Sequence, residues 1–90
     1  MPAVIKIVQR ADGSPTPEAG RYIVQFDHDA LRGRGTGHYL PEVKYALRFP
    51  NAAAAMAFWR RQSALRPMRP DGEPNRPLTA YTVEIEDVVE

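Results

Sequence analysis

Ninety residues with a formal net charge of +1, 43% of them hydrophobic and 26% charged, describe one globular domain over 1–90, neither disordered nor strongly basic. A chain this short buries only about 60–65% of the surface it exposes when unfolded, enough for one modest core and too little for a deep, enclosed active site. Cysteine is absent, which excludes disulfides, thiolate metal sites and cysteine nucleophiles.

Residues Ala3–Gln9 are rich in β-branched side chains and too few for a helix, so they predict a first strand. Asp12-Gly13 opens a turn, and the proline-containing segment to Gly20 continues it as a stiff loop. Arg21–Asp27 predicts a second strand, antiparallel to the first, with Tyr22, Val24 and Phe26 on one face. The pattern breaks from His28 to Glu42, and Arg32-Gly33-Arg34-Gly35-Thr36-Gly37-His38 reads as loop.

Val43–Phe49 alternates again and predicts strand three, with Val43, Tyr45, Leu47 and Phe49 inward and Lys44 and Arg48 outward. Asn51 is a suitable N-cap for a helix that starts with four alanines. Ala55, Phe58, Trp59 and Gln62 form its buried stripe, and Pro67 stops it by about Leu65. Arg66–Pro77, with four prolines and a Pro-Asp-Gly turn signal, reads as an ordered crossover. Leu78–Val88 predicts the last strand, with Tyr81, Val83 and Ile85 inward and Thr82, Glu84 and Glu86 outward.

The expected fold is therefore α+β: a four-stranded sheet, mixed or antiparallel, with one helix packed on one face, in the order β-β-β-α-β. The pattern leaves open whether strand four lies beside strand one or strand three. The helix-free face carries Lys6, Arg21, Lys44 and Arg48 opposite Glu84 and Glu86, pairs that help fix register.

Charge is unevenly spread. Nine basic residues stand against four acids between His28 and Arg76, and from Thr79 onward there are four acids and no base. Ten of the twelve basic residues are arginine, beside twelve alanines and nine prolines. All three have G- and C-rich codons, a bias expected of a GC-rich bacterium or one of its phages.

The chemical constellations are sparse. The glycine-rich segment could turn backbone N–H groups toward an anion, with Arg32 and Arg34 adding charge. It lacks the strand-before and helix-after context of a phosphate-binding signature. His28 and His38 lie too far apart across glycines to supply the three or four ligands zinc requires. Asp27-His28-Asp29 reads as a turn bonded to its own backbone. No serine sits in a nucleophile elbow, and Glu84 and Glu86 have no cleft to flank.

Two P-x-x-P segments in the crossover read as structural rather than as polyproline ligands. Most aromatics fall on faces assigned to the core. Only Tyr39, beside the glycines, looks free to stack on a base.

These exclusions lead to the expectation of a small accessory protein that is not an enzyme, implies no cofactor or metal, and engages a protein partner. Its expected contact residues are Arg32, Arg34, Thr36, His38 and Tyr39. The alternative is a weak nucleic-acid or phosphate binder using those arginines with Arg60, Arg61, Arg66 and Arg69. Self-association is compatible with the sequence. Neither a secretory signal nor an apolar run of about 20 residues is present, so the expected compartment is the cytoplasm, away from any membrane.

Overall fold

The first strand, β1 (Ala3–Arg10), is the one on which the sheet is assembled. Ala3, Val4, Ile5 and Ile7 are fully buried, a nearly continuous apolar run, broken by Lys6, expected of a strand covered on both faces. In this computed structural model, which describes residues 1–89, β2 (Tyr22–Asp27) pairs with one edge of β1 and β4 (Tyr81–Asp87) with the other. The third strand, β3 (Thr36–Leu40), adds outside β2.

The order is β3-β2-β1-β4, and every neighbouring pair is antiparallel. The main helix, α1 (Ala52–Trp59), lies between β3 and β4 in the chain and packs across β1 and β4. The chain is thus an α+β domain in the expected β-β-β-α-β order. Strand four, whose neighbour the sequence left open, lies beside β1.

Register follows from the side chains. Ile5 faces Ile85 and Ile7 faces Val83 on the helix side, while Lys6 faces Glu84 and Val4 faces Glu86 on the other. Lys6 Nζ stands 3.9 Å from the Glu86 carboxylate, and the Tyr22 hydroxyl donates to the same carboxylate at 2.9 Å. These partly exposed contacts each contribute a few tenths of a kcal/mol and mainly specify which residue faces which.

Asn51 caps α1 by accepting the Ala54 amide at 2.8 Å. The alanine run then lets the helix approach the sheet closely. Ala55 is fully buried with Ile5, Ile7, Ile23 and Leu78, and Phe49, Phe58, Trp59, Val83 and Ile85 close around them.

Four expectations need correcting. Strand three is not Val43–Phe49. Val43 and Tyr45 are 42% and 51% exposed on a short 3-10 turn, and only Phe49 bridges to Ala3, by two 2.9 Å hydrogen bonds. With Leu47 donating to the Ile23 carbonyl at 2.8 Å, this segment fills the gap where β2 leaves β1. The real third strand is Thr36–Leu40, inside the segment read as a glycine loop. Glycine is required within it and just before it, because a Cβ on Gly37 would stand 2.8 Å from the Phe26 ring, and one on Gly35 would stand 2.7 Å from Phe26 and 2.8 Å from Pro77. The strand lies too close to the aromatic ring for any larger residue.

In β2 the buried residue is Ile23, not Tyr22 or Val24. A bulge between Ile23 and Gln25 places Ile23 and Phe26 on the core face three residues apart, which simple alternation cannot do. The helix ends at Trp59 rather than near Leu65, leaving Gln62 exposed and Leu65 66% exposed. The amides of Ala64 and Leu65, which a continuing helix would direct to carbonyls four residues back, donate to Asp29 instead. Finally, strand four starts at Tyr81. A 3-10 turn over Pro77–Ala80 precedes it and buries Leu78.

Two glycine substitutions separate close packing from backbone conformation. Gly35 and Gly13 both have positive φ, +79° and +88°, but nothing lies within 4 Å of a Cβ on Gly13. Gly13→Ala should cost about 1–2 kcal/mol for the left-handed backbone alone. Gly35→Ala should cost about 1–3 kcal/mol more, because Phe26 must also move. Urea midpoints of the two variants measure the difference.

Candidate anion-binding cleft

The site begins where β2 ends. Asp27 Oδ1 accepts the Asp29 amide at 2.9 Å, the local turn expected of this tripeptide. His28 and Asp29 depart from that expectation because both make long-range contacts. His28 is buried between the Phe26 and Phe58 rings, with edge-on centroid distances of 4.9 and 4.8 Å. Its Nε2 lies 3.0 Å from the Phe58 carbonyl, so the neutral ring carries its proton there and donates it. Burial pushes the His28 pKa below the usual 6.5, partly offset by the hydrogen bond to Phe58.

Asp29 Oδ1 accepts three donors: the Leu65 amide at 3.1 Å, the Ser63 hydroxyl at 2.8 Å and the Ala64 amide at 2.7 Å. These bonds, that from Leu65 foremost, hold its carboxyl below the usual 3.8. Ser63 Oγ in turn accepts the Arg66 amide at 3.1 Å. One carboxylate thereby ties the segment after α1 to the end of β2.

Two irregular segments meet over this tie. The first is a single turn, Ala30–Gly33, in which Leu31 and Arg32 both take left-handed backbone, φ +53° and +58°. Such conformations are costly for non-glycine residues and persist where the surroundings impose them. Gly33 follows at φ +85°, where a Cβ would meet Arg66 Cβ at 2.7 Å and Asn75 Nδ2 at 2.9 Å.

The second segment is the proline-rich crossover, which folds into a miniature hairpin. Met68 bridges to Pro74, Arg69 donates to the Glu73 carbonyl at 2.8 Å, and Gly72 donates back to the Arg69 carbonyl at 2.9 Å. The Pro-Asp-Gly signal thus closes the turn it predicts. Asn75 joins the two segments, its Nδ2 donating to the Gly33 carbonyl at 2.7 Å and the Arg66 carbonyl at 2.8 Å.

Between the segments lies an open cleft of about 270 Å³ walled by Arg32 and Arg34 on one side and Arg66 and Arg69 on the other, with Met68 and Asn75. Among the described residues no carboxylate lines it. Arg69 stands 3.8 Å from Asp71, a largely exposed pair, and Arg32, Arg34 and Arg66 form no ion pair among the described residues.

The backbone of the turn is not free to serve as an anion nest. The Gly33, Arg34 and Gly35 amides donate to the carbonyls of Asp29, Leu31 and Ala30. Those three amides are not available to an anion in this cleft, and the charge that would hold one comes from the guanidinium groups.

Of the five contact residues expected from sequence, only Arg32 and Arg34 reach the cleft. Thr36 and His38 are exposed along β3 beside Gln25 and Asp27. Tyr39 faces the core edge-on to Tyr81, with ring centroids 6.3 Å apart, and burial raises its pKa well above 10. It offers no free stacking face. Sequence reasoning placed Arg66 and Arg69 in the nucleic-acid alternative and missed Asp29, Ser63 and Asn75 as the residues that set the geometry. The signal was the ordered proline crossover, whose Asn75 lies between two prolines.

The chain matches no known protein family, no curated protein and no solved structure. Among the described residues no three His, Cys, Asp or Glu cluster to hold a metal, and no helix is long and apolar enough to cross a membrane.

Two acid-sensitive phases follow from His28 and Asp29. The unfolded chain protonates His28 near 6.5 and the folded chain resists until lower pH, so the stability this residue contributes is complete above 6.5 and declines as pH falls through it. The urea midpoint should drop between about pH 7.5 and pH 5.5, and His28→Phe should flatten that slope. Asp29 acts lower. Its depressed pKa gives stability that is present above 3.8 and lost as pH falls below it. Asp29→Ala should abolish this lower phase and, at neutral pH, speed hydrogen exchange at Ala64 and Leu65.

Proposed function

We propose that this protein is a non-catalytic interaction module that grips an anionic group on a partner protein in the cleft between the left-handed turn and the proline hairpin. The observation that carries this reading is the convergence of Arg32, Arg34, Arg66 and Arg69 from two distant parts of the chain, with no carboxylate in the wall among the described residues. Four guanidinium groups on one cleft repel each other, and a bound anion relieves that repulsion. Arginine suits the task because its planar fork donates two parallel hydrogen bonds to a carboxylate or phosphoryl group.

The walls are held by hydrogen bonds from Asp29, Ser63 and Asn75, so little order remains to be imposed on binding. A discrete group on a protein suits the cleft better than a nucleic-acid strand. No aromatic ring lines it to stack bases, and the net charge of +1 gives little long-range attraction for a polyanion.

Thermal stability measured against added anion tests the proposal. At constant ionic strength, inorganic phosphate and a phosphoserine peptide should raise Tm over chloride by mass action. Arg32→Ala combined with Arg66→Ala should remove the rise while changing stability without ligand by less than about 0.5 kcal/mol. No rise with either ligand would refute the cleft as an anion site. Oligonucleotide binding that is stronger than peptide binding, and falls steeply with salt, would replace the protein partner by nucleic acid.

A further inference from the structure

The two edges of the sheet differ. β3 spans five residues, contains Gly37 and pairs with a bulged β2. β4 spans seven residues with no proline, glycine or lysine, and no strand pairs with its outer edge among the described residues. Proteins usually protect such an edge by shortening it, placing charges or proline in it, or covering it. β4 is neither short nor interrupted by proline; its guard is the acidic set Glu84, Glu86 and Asp87, which repels an acidic strand but not a basic one, and in place of a cover it borders an apolar groove.

That groove, about 230 Å³, is lined by Met56 and Trp59 from α1 and by Thr82, Val83 and Ile85 from β4. Val83 faces the core side of the sheet and Thr82 the opposite side, where it is exposed. A space touching both must lie at the margin of the strand, where a fifth strand would run. Trp59 Nε1 donates to the Tyr81 carbonyl at 3.2 Å, which fixes the indole as the wall at the start of the strand.

The side chains state what would fit. Alternate residues of an added strand would pass beneath Met56 and Trp59 and be apolar. Those between would lie beside Glu86, which already has Lys6 of β1 at 3.9 Å, and beside Glu84, which forms no ion pair among the described residues. A second copy of the chain is a poor occupant, because pairing β4 with itself sets these carboxylates against each other, and like charges placed opposite destabilise a sheet. We propose that the outer edge of β4 is a strand-addition site for an extended partner segment that alternates apolar with lysine or arginine residues. Main-chain hydrogen bonds would supply affinity and the alternating pockets specificity.

Trp59 is the sole tryptophan and lines the groove, so its emission reports occupancy directly. The probes are two acetylated seven-residue peptides, one alternating valine with lysine and the other valine with glutamate, titrated at low ionic strength. The lysine peptide should shift Trp59 emission to the blue and saturate, and should slow hydrogen exchange along Thr82–Glu86. The glutamate peptide should bind about fivefold more weakly or not at all. Glu84→Lys should reverse that preference, and Met56→Glu, with unchanged circular dichroism, should abolish binding of both. Equal binding of the two peptides, no emission shift with either, or a dimer in sedimentation that buries Trp59 without peptide would each overturn the proposal.

Discussion

The Asp29 carboxylate holds together the end of the molecule that carries the arginine cleft. It takes the hydroxyl of Ser63 and two successive backbone amides, and the consequences run in both directions along the chain. On one side it takes the Ala64 and Leu65 amides just after the Ser63 amide has turned to the Asn75 carbonyl, so the chain beyond α1 is held out of helix. On the other it draws the proline hairpin against Gly33, where Asn75 completes the seam. A carboxylate with several donors aimed at it is a strong, directional tie, since hydrogen bonds to charged groups are stronger than neutral ones.

Apolar β-branched runs made β1 and β4 legible in the sequence, and so were the helix start at Asn51 and the turn at Asp71-Gly72. In each case the signal is local: alternation, capping or a turn dipeptide. β3 was not legible, because it carries Gly37 and follows Gly35 where strands usually carry β-branched residues, and the reason is an aromatic neighbour from another strand. Val43–Phe49 shows the opposite failure. It alternates like a strand, yet one side of β2 is already taken by Thr36–Leu40, and the segment bonds only through Leu47 to Ile23 and Phe49 to Ala3. The left-handed Leu31 and Arg32 leave no trace in residue type. Half of the arginine cleft could be read from the glycine segment, and the other half depended on where the crossover lands.

The two candidate surfaces are chemically opposed and built from different materials. The cleft is basic, irregular and carried on turns pinned by polar contacts. The β4 edge is acidic on one side, apolar on the other, and continuous with the core through Val83 and Ile85. Because they share no lining residue, a change in one need not disturb the other, and effects of substitutions at sites without shared partners usually add. His28 is the exception: it bonds to the Phe58 carbonyl of α1 and precedes Asp29 in the chain, so its protonation touches the helix and the tie together.

The pairing of Ala3 with Asp87 bears on how the chain reaches this state during synthesis. β1 leaves the ribosome first and is the most apolar strand, but one of its two edges is completed only by the last strand to appear. Until then the Ile5–Ile7 stretch has an open flank, and contacts so distant in sequence form slowly because a long loop must close first. The sheet therefore cannot be completed until β4 has been made. The nascent chain spends that interval with an exposed β edge, the condition under which chaperone capture and aggregation compete with folding.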